Sequence, residues 1–209
     1  MQKIALLVLV CAFTLAGCTS TPVAAPAPTL TPTATPSPTI DPGPVTLSTE
    51  QAGTYYLSAV CQGNVAGVAL NAAFAAAEPE FLQGGEPDMT VIKAAAAENA
   101  RIGRLLIEVL DDSYFTWPAG VAEQIEHIRS TSVANLSTKD SFVNAARFSD
   151  AYYATFPEQT PEQSSAPQEI RIQLELGTDT TASCVGYETR LDALHAEMVE
   201  RNAYLATFE

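Results

Sequence analysis

"LSTEQAGTYYLSAVCQGNVAGVALNAAFAAAEPE", residues 47–80, has no charged side chain from Gln51 to Ala77. Ser48 and Gln51 stand three apart, the spacing of a capping box, in which each side chain bonds the other's backbone N–H at a helix start. Beyond them Tyr56, Val60, Gly63, Gly67, Leu70 and Phe74 fall on one stripe of a 3.6-residue helix. A helix that is apolar almost all round belongs either at the centre of a core or in a bilayer. Gln62, Asn64 and Asn71 favour the core, because polar side chains are costly in hydrocarbon. Gly63 and Gly67 leave room for a neighbouring helix to approach closely, and Pro79 is expected to end the element.

Other helical patterns follow it. In "DMTVIKAAAAENARIGRLLIEVLDDS" Asp88 or Thr90 can cap, and Ala95, Ile102, Leu105, Leu106 and Val109 line one face. "WPAGVAEQIEHIRS" places Pro118 at a helix start and Val121, Ile125 and Ile128 on a stripe. Ser137 and Asp140 read as a fresh cap, which predicts a kink or break there, with helix resuming to Phe156 through Phe142, Ala145, Ala146, Ser149, Tyr152 and Tyr153. "PEQTPEQSSAP" has loop composition. Residues 169–176 alternate like a strand, but a lone strand is unstable, so a short helix closed by Gly177 is expected. Tyr187, Leu191, Leu194, Met198, Leu205 and Phe208 form the apolar face of a last helix. The fold class is therefore all-α, a bundle of about four to five helices over residues 47–209.

The N-terminus carries a different signal. "MQKIALLVLVCAFTLAGC" has one early positive charge, Lys3, and an uncharged apolar stretch at residues 4–16. That stretch is shorter than the roughly 20 residues a bilayer span needs and has the shape of a signal peptide. It ends in Leu15, Ala16, Gly17 and Cys18. These four positions resemble the lipobox of bacterial lipoproteins: a branched residue, two small ones and the cysteine. The resemblance implies cleavage after residue 17 and a diacylglyceryl chain on the Cys18 thiol. Two acyl chains anchor a protein stably, where one does so only marginally. Membrane lipid is then a partner through Cys18, and the location is the extracytoplasmic side of the cell envelope, at the cell membrane or the outer membrane. Residues 18–46 follow as a linker rich in Pro and Thr, uncharged before Asp41. Such composition buries too little apolar surface to offset ordering, so a disordered, extended stalk is expected, with a reach on the order of 80 Å.

Charge narrows the partners. With 24 acidic against 10 basic residues the net charge is −14, a balance that repels nucleic acid and anionic lipid. Of four cysteines, Cys11 leaves with the signal peptide and Cys18 takes lipid. Cys61 and Cys184 remain, in an oxidising compartment where they are expected to pair. No CxxC motif is present, so the bond reads as structural. His127 and His195 are the only histidines, with Glu123 four residues before one and Asp192 three before the other. Either pair shares a helix face, which makes these four residues weak metal candidates. The inward glutamates of a carboxylate-bridged metal bundle are missing, so no cofactor is expected. Nor is there a GxSxG, phosphate-loop or HExxH motif. Tyr114, Phe115 and Trp117 cluster in "DDSYFTWP", where they read as a plug for one end of the bundle rather than a ligand rim.

Two functions fit this pattern. One is an anchored ectodomain, not an enzyme, that binds an envelope protein or cell-wall partner or fills a structural role. The alternative is a small-molecule or metal-binding envelope module built on His127 or His195 with nearby carboxylates. The anchor is tested directly: Cys18→Ser should abolish labelling by a fatty-acid analogue in growing cells, and undiminished label on that variant would refute lipidation at this position.

Overall fold

The computed structural model describes residues 43–208; the expected signal peptide, the expected lipidation position Cys18 and most of the expected linker lie outside the described residues. The described residues fold as an all-α bundle within one compact unit. Five long helices carry it: α1 (Thr49–Leu82), α2 (Thr90–Leu110), α3 (Ala119–Asn144), α5 (Pro161–Gln173) and α7 (Arg190–Leu205). Two single-turn pieces, α4 (Phe148–Tyr152) and α6 (Thr180–Ser183), join them. Val45–Thr46 and Phe115–Thr116 form β1 and β2, a two-stranded parallel pair. That pairing is not visible in either segment's periodicity, and it draws two residues of the expected linker into the packed chain.

Helix α1 starts as its sequence requires: the Ser48 hydroxyl accepts from the Gln51 N–H, and the Gln51 side chain accepts from the Ser48 N–H. It does not stop at Pro79. The helix runs one more turn to Leu82, because Phe81 packs against Phe148 and Tyr152 with ring centroids 5.0 and 5.2 Å away. Gln83 closes it, donating from its side chain to the Pro79 carbonyl. By length and composition α1 could cross a membrane, but its first half is core: Ala52, Tyr56, Leu57, Ala59 and Cys61 are all buried.

Two apolar clusters are strung along α1, α2 and α3. The first joins the start of α1, the end of α2 and the start of α3 to α5 and α7, with Ile102, Val109, Val121, Ile170 and Leu191 buried at its centre. The second joins the end of α1, the start of α2 and the end of α3 to α4, around Ile92, Phe142 and Phe148. The three long helices therefore run alternately up and down. Gly63 and Gly67 face α2 as expected, but a Cβ there would meet Ile102 and Asn99 at 3.7 and 3.8 Å, ordinary contact that does not demand glycine. The tight approach is elsewhere. A Cβ on Gly103 would lie 2.9 Å from Lys139 Nζ, the movable end of a flexible side chain, and 3.4 Å from Leu136, so α2 and α3 come close here.

Three further expectations fail for identifiable reasons. α3 passes unbroken through Ser137 and Asp140. Asp140 is spent on Arg104 (2.5 Å), so its carboxylate caps no new helix start. The break falls instead at Ala145, whose ψ of 129° is extended, and helix then lasts only to Tyr152. Residues 169–173 are helical, but the helix begins eight residues earlier, inside the supposed loop. Thr160 and Gln163 form a second capping box with Pro161 in the first turn. Phe208 does not join the last helix's buried face: it lies past α7, 70% exposed, against Tyr204.

Cys61 on α1 and Cys184 after α6 stand at disulfide distance, 1.96 Å, closing a loop of more than a hundred residues. Such a link removes roughly 4–5 kcal/mol of unfolded-chain entropy at most. Arg171 fastens the same segment. It is 2% exposed and donates to the carbonyls of Gly177 and Asp179 and to the Ser183 hydroxyl.

The end of α5 stores strain. Leu176 N–H bonds the Arg171 carbonyl (2.8 Å) and Glu175 N–H the Ile172 carbonyl (3.2 Å), the two bonds of a Schellman cap. Glu175 takes the left-handed position, φ 55°, that glycine usually fills. Holding a side chain there costs roughly 1–2 kcal/mol. Glu175→Gly should therefore raise the melting temperature by roughly 2–4 °C; calorimetry showing a fall would contradict this account of the cap.

Candidate functional site

Two of the sequence's four metal candidates, His195 and Asp192, are committed to other partners. His195 Nε2 lies 2.6 Å from Glu108 Oε2. Asp192 receives Arg101 at 2.5 Å and Gln62 at 2.6 Å. Arg101 and Gln62 hold the Asp192 carboxyl below the usual carboxylate range, against the opposing effect of burial. His127 sits on another helix, where it borders Glu162, and Glu123 is exposed on the same helix. Among the described residues no group of three or more His, Cys, Asp or Glu side chains is placed to hold a metal ion.

The aromatic cluster at 114–117 plugs the bundle end, as its sequence suggested. Phe115 and Trp117 meet the Tyr55 ring edge-on at 5.0 and 5.5 Å, and Arg201 lies over the Tyr114 and Phe115 rings at 4.1 and 5.0 Å. Arg201 also pairs with the nearly buried Asp112. Burial pushes the Tyr55 hydroxyl well above the normal tyrosine range, with Asp112 adding to it, and burial also pushes Tyr56 up to about 12. A groove of about 510 Å³ opens beside this plug, bordered by Glu108, Asp111 and Asp112. Each of those carboxylates already has a basic partner: His195, Arg129 and Arg201.

A different cleft, of about 350 Å³, opens at the second cluster. α1 contributes Leu70, Phe74 and Glu78; α3 contributes Phe142; α4 and the turn after it contribute Tyr152 and Phe156. The break in α3 makes this arrangement. Past it, Arg147 N–H donates to Asp150 and Phe148 N–H donates to Glu86 Oε1 at 2.7 Å, so the chain doubles back as α4. Phe148 is fully buried beneath, stacked on Tyr152 with centroids 5.4 Å apart. The Thr138 hydroxyl then donates to the Thr155 carbonyl (3.0 Å), holding the following segment against α3. Phe156 is left as a half-exposed rim ring, edge-on to Phe142 at 5.7 Å, with Phe142 in turn edge-on to Phe74 at 5.4 Å.

One carboxylate looks into these rings. The Tyr152 hydroxyl donates to Glu78 Oε1 at 2.6 Å, a bond that raises the tyrosine's own pKa. No Lys, Arg or His lines the cleft. Glu78 has no ion-pair partner among the described residues, and its second oxygen accepts no hydrogen bond among them. The sequence did not single out Glu78, Phe74 with Phe142, or Phe156 as a site. Glu78 lies 74 residues from Tyr152, and only the chain reversal at Ala145 brings the two together.

Comparison with protein-family models, curated proteins and solved structures finds no match to this chain.

The Asp192 cluster carries a pH prediction. A carboxyl whose folded pKa is depressed contributes stability that is full above its unfolded pKa, about 3.9, and is lost as pH falls through the lower folded value. The carboxylate is about half exposed, so its worth is below about 1 kcal/mol. Asp192→Asn should melt a degree or two below the native chain at pH 7 and at the same temperature near about pH 2. A gap that stays constant on acidification would show that the ion pair is not its source.

Proposed function

We propose that this chain is a membrane-anchored extracytoplasmic lipoprotein whose helical domain binds a small molecule in the Phe74–Phe142–Phe156 cleft. The anchor rests on the lipobox at Leu15–Cys18 and the Pro/Thr-rich linker. Membrane lipid is a partner through acylated Cys18, and an envelope protein or cell-wall component is a further class of partner for such a module. The acidic surface makes nucleic acid a poor one.

The observation that carries the binding reading is the cleft's composition: three aromatic rings, a tyrosine hydroxyl and an unpaired carboxylate around an open space. Small-molecule sites are concave, mostly apolar and furnished with a few placed polar groups. Position supports the reading as well. The chain joins the fold at Leu47, in the first cluster, whereas Phe74 lies 25 residues along α1. At 1.5 Å per residue the cleft sits about 40 Å along the helix from the point where the linker meets the domain. A stalked module would then carry its cleft at the end away from the tether.

A panel of neutral, cationic and anionic fragments, screened by NMR against the full chain carrying Cys18→Ser, tests this. Bound fragments should shift the resonances of Phe74, Phe142 and Phe156. Ala75→Trp, which places a ring in the cleft from an exposed position on α1, should remove those shifts. Fragment contacts confined to other surfaces, or shifts that survive Ala75→Trp, would refute the cleft as a binding site.

A further inference from the structure

The charge balance of the cleft specifies what it would hold. Its walls are the faces and edges of Phe74, Phe142, Phe156 and Tyr152, and its only ionisable acid is Glu78. Aromatic faces carry negative quadrupole charge and attract cations, best where water is partly excluded. The carboxylate adds a full negative charge, and the Tyr152 hydroxyl holds its Oε1, while Oε2 accepts no hydrogen bond among the described residues. Beside the other groove the carboxylates have basic partners, Asp111 with Arg129, Asp112 with Arg201 and Glu108 with His195. In the cleft Glu78 has none among the described residues. We propose that the ring-lined, acid-bearing cleft takes a small, soluble organic cation, an alkylated ammonium group with a short hydrocarbon body. The ammonium sits between the rings and Glu78, and the body lies on Leu70 and Phe74.

The same walls argue against a zwitterionic phospholipid headgroup, which carries phosphate beside its ammonium. No basic side chain lines the cleft to receive a phosphate, and Glu78 would repel it. The net charge of −14 enriches small cations near the surface and repels anions.

This inference rests on the cleft reading, and the test separates the two. The probes are choline, its neutral carbon isostere 3,3-dimethylbutan-1-ol, and phosphocholine, titrated by NMR into the full chain carrying Cys18→Ser. Choline should bind at least tenfold more tightly than the isostere and more tightly than phosphocholine, with shifts at Phe74, Phe142 and Phe156. Glu78→Gln should lower the choline-to-isostere ratio at least threefold, with the remainder due to the rings, while isostere shifts at Phe74, Phe142 and Phe156 show that the variant's cleft is intact. Tyr152→Phe, which frees Glu78 Oε1 but keeps the ring, should retain most of the preference for choline. Equal binding of choline and the isostere at the cleft would overturn the cation proposal and leave the binding site standing. Tighter binding of phosphocholine would overturn the choice of a free cation. Absence of cleft shifts with all three probes would overturn both.

Discussion

Helix α1 has no charge between Glu50 and Glu78, and a rod of that kind must be covered by other elements. The fold is largely the result of how that cover is supplied. Over the first half α2, α3, α5 and α7 all contribute, and Ala52, Ala59 and Cys61 are wholly inaccessible. Over the second half only α2, the end of α3 and the short α4 are available. Leu70 and Ala73 are buried there, but Val65 and Val68 remain 48% and 69% exposed. The cleft at Phe74 lies where that cover is incomplete: α4 is one turn long and does not reach far enough to close the space above Phe142.

Local signals in the sequence were legible where they depend on residues close together in the chain. Ser48 with Gln51, the stripe Val121–Ile125–Ile128 and the Leu191–Leu194–Met198 face all behave as their spacing requires. The cysteine pair followed from elimination. What was misread came from two kinds of competition. Composition overrode a motif at "TPEQ", where proline and polar residues looked like a loop although Thr160 and Gln163 spell a capping box with proline at the first helical position. Tertiary partners overrode local preference at Pro79 and at Asp140, where Phe81's ring contacts and Arg104's charge decided the outcome. The cleft belongs to neither class. Its residues come from three separated stretches, and nothing in the chain announces that Glu78 and Tyr152 will meet.

Ionic contacts in this molecule divide by what lies beneath them. Arg101, Arg104 and Arg129 make exposed pairs whose individual worth is small. Arg201 with Asp112 is different, since the carboxylate is 3% exposed and the guanidinium rests on two aromatic rings. Removing either partner would strand the other in a poorly solvated place, a loss of roughly 3–5 kcal/mol. That pair ties α7 to the turn between α2 and α3, just as Cys61–Cys184 ties the α6 segment to α1. The disulfide and the buried ion pair thus lie toward the end where Leu47 enters the fold, and the cleft end is held by ring packing and by the hydrogen bonds of Phe148, Tyr152 and Thr138.

The β1–β2 pair has a mechanical meaning. Val45 N–H bonds the Tyr114 carbonyl at 2.8 Å and Leu47 N–H the Thr116 carbonyl at 3.0 Å. Any tension transmitted through the chain ahead of residue 43 arrives at these two amides before it reaches a helix. They transfer the load to the turn between α2 and α3, whose Phe115 and Trp117 are seated against Tyr55 on α1. Were the chain anchored ahead of residue 43, a pull would meet this parallel pair, and through it the rings seated on α1, before it reached the capping box at Ser48.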